Sequence, residues 1–254
     1  MLVLNAKNIT KTYGGRDKEN STIALNGVEI KVEAGEFVGV MGPSGSGKTT
    51  LLNILSGIDK PTSGTIEIAG ININTMEKNE LALFRRQKLG FVFQEFNLLD
   101  SLTLKENVML PMILDKRKAS EMEAKAQEIM SLFDILGISG KYPYNVSGGQ
   151  QQRAAVARAL VNDPAIVFAD EPTGNLDSKS SKTVMKCFQK MNEENKNTIL
   201  MVTHDTFAAS YCKRIIFIKD GTVNMEITSK GDRKEFFERI LDCLAVLGGE
   251  QNEI

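Results

Sequence analysis

Cysteine, histidine and uninterrupted apolar sequence are all scarce in this 254-residue chain, and each scarcity excludes a class of protein. The three cysteines, Cys187, Cys212 and Cys243, are odd in number, far apart and in no CxxC pairing. That argues against a disulfide framework or a zinc site and makes a reducing cytosol the expected compartment. Apolar stretches are short, "VMLPMIL" at 108–114 being among the longest, whereas a helix crossing a bilayer needs ~18–20 residues. The opening "MLVLNAKNITK" has four apolar residues before polar ones intervene, too few for a secretory signal. Excess charge is missing too, since 31 Lys and Arg stand against 32 Asp and Glu, a net charge of −1. With a pI of about 6.0 there is no global basic field, and no nucleic-acid partner is expected. The expected protein is soluble, and work at a membrane would need a partner to place it there.

What the chain does contain is ordinary in bulk: 42% apolar and 25% charged residues, enough length and apolar content for a sizeable core. There is no internal repeat and no low-complexity linker. Short β-rich runs alternate with helical patterns, the sign of a mostly parallel sheet with helices around it. "GEFVGVMG" (35–42), "LGFVFQ" (89–94), "AIVFAD" (165–170), "TILMVTH" (198–204) and "RIIFIKDG" (214–221) read as strands, the last closing on a turn at Asp220-Gly221. "TTLLNILSG" (49–57) reads as a helix. The start of the chain alternates more strictly and predicts an antiparallel layer. Residues 95–161 are helical by period and form a lobe inserted into the α/β core. The tail from 233 to 254 begins as an amphipathic helix with Phe236, Ile240, Leu244 and Leu247 on one face, Phe237 and Leu241 beside it. It is expected to pack on its own domain. The organisation is thus one domain, 1–254: a core with its antiparallel layer in 1–94 and 162–232, the helical lobe, and the C-terminal helix and tail.

Chemistry concentrates at strand ends. "GPSGSGKT" (42–49) fits G-x-x-x-x-G-K-[ST] between a predicted strand and a predicted helix. Gly42, Pro43, Ser44, Gly45, Ser46 and Gly47 let the backbone wrap so that its N–H groups face phosphates. Lys48 brings positive charge to the β- and γ-phosphates, the Thr49 hydroxyl can ligate Mg²⁺, and Thr50 lies beside it. This site is read as binding a nucleoside triphosphate. "AIVFADEP" delivers Asp170 and Glu171 to the carboxyl edge of the sheet, where open α/β folds keep their ligands. Asp170 would hold Mg²⁺, and Glu171 would act as general base toward the attacking water. His204, the only histidine, ends another apolar strand at the same edge, placed to bond the γ-phosphate or that water. Gln94 ends "GFVF", where its amide can reach Mg²⁺ or water. In "NVSGGQQQRAAVARAL" (145–160) small residues open a helix, a second anion-binding feature. Its Arg153 and Arg158 read equally as functional bases and as a solvated face.

Taken in order, the phosphate loop, Gln94, "VSGGQ", "DEP", "GNLD" and His204 resemble the nucleotide-binding subunit of ABC transporters, over roughly residues 2–225. The resemblance implies a P-loop NTPase core with a mostly parallel sheet, an antiparallel β subdomain and an inserted α-helical lobe. It also implies ATP and Mg²⁺ as cofactors and head-to-tail pairing with a second copy. In that arrangement Ser147 and Gly149 contact the partner's γ-phosphate, Gln150 lies near the ribose, Asp177 connects the two sites, and Tyr13 stacks on adenine. Val146 stands where the family usually has leucine. "GFVFQEFNLLDSLTLKENVMLPM" and "FADEPTGNLDSKSS" look like the branch serving lipoprotein-release and macrolide-efflux permeases. "MVTHDTFAASYCKRIIFIKDG" and the tail look closer to Bce-type ATPases, which pair with a large permease, often with a sensor histidine kinase, and protect against bacitracin-like antimicrobial peptides. That would place the chain on the inner face of the cell membrane, through an integral membrane permease. Phe96, Leu98, Leu99 and Leu102 read either as the permease's docking cluster or as filling for the joint below the helical lobe. A single cassette without heptads or a basic patch argues against a soluble relative acting on ribosomes or DNA. Intact Lys48, Asp170, Glu171 and His204 argue against a binding module that does not turn over.

Overall fold

Strands with no polar position need cover on both faces, and three strands here have almost none. The computed structural model describes residues 1–14 and 21–249. In it β3 (Phe37–Met41) and β8 (Ile199–Val202) are buried throughout, and β7 (Ile166–Asp170) until its last residue. With β6 (Leu89–Val92), β9 (Arg214–Lys219) and β10 (Thr222–Thr228) they form a six-stranded sheet ordered β10-β9-β3-β8-β7-β6. All pairs in it are parallel except β9–β10, a hairpin. That hairpin turns at Asp220-Gly221, as the sequence predicts, with φ of 50° and 71°.

Because successive side chains in a strand point to opposite faces, the central sheet feeds two apolar clusters alternately. Phe37, Val167, Ala169, Ile199 and Met201 enter one cluster, with α3 (Leu104–Leu114), α4 (Ala119–Leu132), α5 (Gly148–Leu160) and α6 (Ser178–Glu193). Val38, Val40, Phe168, Leu200 and Val202 enter the other, with α1 (Lys48–Leu55) and α2 (Lys78–Lys88). The second cluster also holds the inner face of a four-stranded antiparallel sheet ordered β2-β1-β4-β5. Its strands are β1 (Leu2–Tyr13), β2 (Thr22–Glu33), β4 (Ser63–Ile68) and β5 (Ile71–Asn72). The fold is α/β as expected, and β4 is a strand the sequence reading did not single out.

No strand lies between β6 and β7 among the described residues; α3, α4 and α5 occupy that stretch. Asn107, buried on α3, fixes the loop before it: Nδ2 donates to the Leu99, Leu102 and Thr103 carbonyls, and Oδ1 accepts the Leu99 N–H. A short helix, α7 (Thr206–Ala209), follows β8, and α8 (Arg233–Gly249) closes the described chain. Phe236, Ile240 and Leu247 of α8 are buried in the first cluster with Leu244 packed against it, while Leu241 is exposed. The tail helix therefore packs on its own chain. No helix among the described residues is long and apolar enough to cross a membrane. Emptying the Phe236 site should cost about 3 kcal/mol of stability. Urea unfolding of Phe236→Ala measures this, and a change near zero would mean that α8 is not part of the cooperative core.

Candidate active site

Parallel register brings the chemistry to one edge. Val40 pairs with Val202, Val202 with Asp170, and Ala169 with Val92, so the segments leaving β3, β8, β7 and β6 emerge side by side. After β3, residues 42–47 form the loop that leads into α1. At Gly47, φ is 98° and a Cβ would lie 2.5 Å from the Ala24 carbonyl oxygen, so only glycine permits this approach. Lys48 Nζ donates to the carbonyls of Gly42 (3.0 Å) and Pro43 (2.8 Å), across the inside of the loop. Burial lowers its pKa against the pull of Glu171 and Asp170. Ser46 Oγ is buried with no partner, and Thr49 is exposed at the start of α1.

Asp170 ends β7, with Oδ1 shut from solvent and unpartnered. Burial pushes its carboxyl pKa up, the Glu171 charge adds to this, and Lys48 opposes it. No group of three or more His, Cys, Asp or Glu side chains suited to a metal occurs among the described residues. An all-protein metal cage is therefore not built here. One buried, unsatisfied carboxylate near Lys48 suits Mg²⁺, which binds through one or two carboxylates plus phosphate oxygens and water.

Glu171 takes the left-handed φ of 45° while its N–H donates to Val202 O (2.9 Å). This turns its side chain toward the end of β8. Oε1 accepts the His204 N–H at 3.0 Å and lies 2.8 Å from His204 Nδ1, and Oε2 accepts the Thr203 hydroxyl at 3.1 Å. The His204 side chain is 72% exposed against 16% for Glu171. The two open onto a cavity of about 550 Å³. Gln94, two residues past β6, donates through Nε2 to Asn175 Oδ1 (3.1 Å), and Asn175 Nδ2 donates back to the Gln94 carbonyl (3.2 Å).

Residues 147–150, read from the sequence as a second anion-binding feature, stand apart. Among the described residues no hydrogen bond joins 147–150 to the phosphate loop. Ser147 caps α5 in a capping box: its N–H donates to Gln150 Oε1 (2.9 Å), and its Oγ accepts the Gln150 N–H (3.4 Å). A Cβ at Gly149 would lie 2.9 Å from Ser180 Cβ, so α5 presses on the first turn of α6. Asp177 caps that turn, accepting the Lys179 and Ser180 N–H groups and the Ser180 hydroxyl, and the hydroxyl bond leads in holding its pKa down. The structure thus joins 147–150 to the Asp177 loop rather than to Lys48. Tyr13 is 44% exposed, with its hydroxyl on Asp59 Oδ2 (2.9 Å) and Lys11 Nζ 4.7 Å from the ring centroid.

Reading Arg158 as part of a solvated face is incorrect. It is largely buried, which lowers its pKa, and its guanidinium donates to the Phe96 and Asn97 carbonyls. Arg153 is half-buried, with its Nε shut from solvent and unpartnered. The sequence reading also missed Gln152, wholly buried, whose Nε2 donates to Phe93 O (3.1 Å) and Pro172 O (2.7 Å). Its signal was present: a polar side chain at helical spacing from Val156 and Ala159 on the apolar face. Leu98 packs against the core while Leu99 stays 48% exposed. Beside them a groove of about 390 Å³ is lined by Phe91, Phe93, Leu110, Pro111, Leu114 and Arg158.

Comparison with known proteins bears on this arrangement. A family model described as "ABC transporter" matches residues 25–174. The chain is 56% identical over 253 residues to the ABC transporter ATP-binding protein YvcR of Bacillus subtilis, covering 100% of this chain and 98% of the relative. It is 50% identical over 255 residues to the bacitracin export ATP-binding protein BceA of Halalkalibacterium halodurans, covering 100% of both. Among solved structures, the dimeric post-hydrolysis state of the ATP-binding cassette MJ0796 with ADP and Pi matches with a TM-score of 0.80 and 44% identity. That match covers 90% of this chain and 100% of the cassette, a protein of Methanocaldococcus jannaschii.

The raised pKa of Asp170 has a consequence for stability. Between its unfolded and folded pKa values the native state binds more protons than the unfolded chain, so this residue's contribution falls as pH rises through that window. Asp170→Asn should therefore raise the unfolding midpoint of the nucleotide-free chain at pH 7. The gain should fade as pH drops below the ordinary carboxylate value of ~3.9. Thermal melts of both proteins across pH check this, and equal midpoints at pH 7 would contradict it.

Proposed function

The chain belongs to the ABC transporter ATP-binding family, whose members are ATPases coupled to transport, and on that basis we propose how its residues divide the work. The observation that carries the reading is the meeting of the phosphate loop, the unpartnered Asp170 carboxylate and the Glu171–His204 pair at one sheet edge. MgATP lies in the 42–49 loop, its phosphates replacing the Gly42 and Pro43 carbonyls as partners of Lys48. Thr49, Asp170 and the Gln94 amide would hold Mg²⁺, which would neutralise charge on the β- and γ-phosphates. Glu171 takes a proton from the attacking water, and His204 bonds the γ-phosphate. Tyr13 stacks on adenine with the ring face not occupied by Lys11.

Two copies close head to tail on two nucleotides, so that Ser147, Gly149 and Gln150 complete the partner's site and Asp177 links the two. The absence of a bond from 147–150 to the chain's own phosphate loop supports this division, as does the dimeric form of the MJ0796 cassette. Closure moves an integral membrane permease whose cytoplasmic segment seats in the groove beside Gln94, which keeps the chain on the inner face of the membrane. The full-length likeness to a bacitracin export subunit supports a role in antimicrobial-peptide resistance or sensing. Loss of the gene should lower the bacitracin concentration a host tolerates, with the Glu171→Gln form failing to restore it; unchanged tolerance would remove that finer reading.

Two variants test the core of the proposal. Glu171→Gln should bind MgATP as the parent does while hydrolysis falls by about 10²-fold or more; parental turnover would remove Glu171 from the role of base. Ser147→Arg should leave ATP binding by the single chain nearly intact and abolish both ATP-driven dimer closure and hydrolysis. Light scattering with phosphate release reads both effects, and normal closure and turnover would refute the shared site.

A further inference from the structure

Thr203 stands between the last residue of β8 and His204, is 0% exposed, and has a hydroxyl committed in both directions. The Asp205 N–H donates to Oγ1 at 3.0 Å, so the hydroxyl's own proton must go elsewhere. It goes to Glu171 Oε2 at 3.1 Å. Thr203 is anchored in turn by its N–H on the Val40 carbonyl of β3 (3.1 Å). Solvent does not reach the hydroxyl, so water cannot replace the carboxylate as its partner.

The geometry at Glu171 explains what such a contact does. The terminal torsion of a glutamate is broad and nearly two-fold, so a single hydrogen bond leaves the carboxylate free to rotate. Here each oxygen has a donor fixed to the sheet edge: the His204 backbone N–H on Oε1 (3.0 Å), which also reaches Oε2 at a longer 3.3 Å, and the Thr203 hydroxyl on Oε2 (3.1 Å). Two such bonds define the carboxylate plane. The third contact, His204 Nδ1, comes from a side chain 72% exposed, which can leave Glu171 for a phosphate without disturbing the other two.

We propose that Thr203 is a positioning residue for hydrolysis: its hydroxyl, held one residue past the end of β8, fixes the rotation of the Glu171 carboxylate so that a lone pair stays aimed at the attacking water when the His204 ring moves. This rests on Glu171 being the base, and the experiment separates the two ideas. Thr203→Val keeps the shape and removes the donor. With the purified full chain and MgATP, kcat should fall about tenfold while KM stays within about twofold. Thr203→Ser should restore kcat to within about twofold of the parent. In a Glu171→Gln background, Thr203→Val should change the residual turnover no further, because its effect passes through the carboxylate.

Parental or faster turnover in Thr203→Val, or loss persisting in Thr203→Ser, would overturn the proposal. So would a further loss of the same size in the Glu171→Gln background, which is what a purely structural role at the Asp205 corner produces. If Thr203→Val does not fold, as judged by ATP binding and its unfolding midpoint, Thr203→Ala takes its place with the same expectations. If Glu171→Gln itself hydrolyses ATP at the parental rate, the assignment of the base falls, and the positioning role falls with it.

Discussion

A strand buried on both faces can place a polar group only at its end, and that constraint governs the rest of this molecule. In β3, β7 and β8 alternate side chains enter one apolar cluster and then the other, leaving no interior position for a charge. Parallel register then sets the ends beside one another, Asp170 against Val202 and Val202 against Val40. Lys48, Asp170, Glu171, Thr203 and His204 meet because the hydrophobic strands behind them have no other way to pair. The crowding has an electrostatic result. Asp170 and Lys48 are both pushed toward their neutral forms by burial, and each is partly held charged by the other. A site poised in this way favours a ligand that brings its own charge and its own oxygen atoms.

The helical region is joined to this edge by side chains on backbone carbonyls rather than by strand pairing. Gln152 on α5 spans the Phe93 and Pro172 carbonyls, one on each side of the site. Arg158, a turn and a half further along, holds the Phe96 and Asn97 carbonyls. Asn107 on α3 fixes the loop from Leu99 to Thr103, just before that helix. A buried hydrogen-bonded amide or guanidinium left without partners is expensive, by ~1–3 kcal/mol or more for charged groups. These contacts therefore bind the segment from Phe93 to Thr103 to α5 and α3. Gln94 also clasps Asn175, so a shift of the α5 side has a direct physical route to the loop carrying Asp177.

Much of this was legible in the chain. The phosphate loop was readable because its glycines and lysine fall between an apolar strand and a helix, and Asp170 and Glu171 because they end an apolar strand. The tail helix showed its buried face through the spacing of Phe236, Ile240 and Leu247. Other features left weak signals. "SGTIEI" is short and mixed in polarity, and most of the length of β4 is paired with β1, more than fifty residues away. Arg158 looked like an ordinary helix cation, since the carbonyls it holds lie about sixty residues upstream. Thr203 was overshadowed by His204, and only the Asp205 N–H on its oxygen shows where its proton points.

Local pattern by itself determined the fold class, the phosphate loop and the strand ends that carry charge, because periodicity and glycine chemistry act over a few neighbouring residues. Only the tertiary structure decided the partners. It bent Glu171 onto Thr203 and His204, tied Gln94 to Asn175, buried Arg158, and set residues 147–150 beside the Asp177 loop instead of their own phosphate loop. A hydrogen bond requires two groups within about 3 Å in the right orientation, and for residues far apart in the chain that distance is set by sheet register and helix packing.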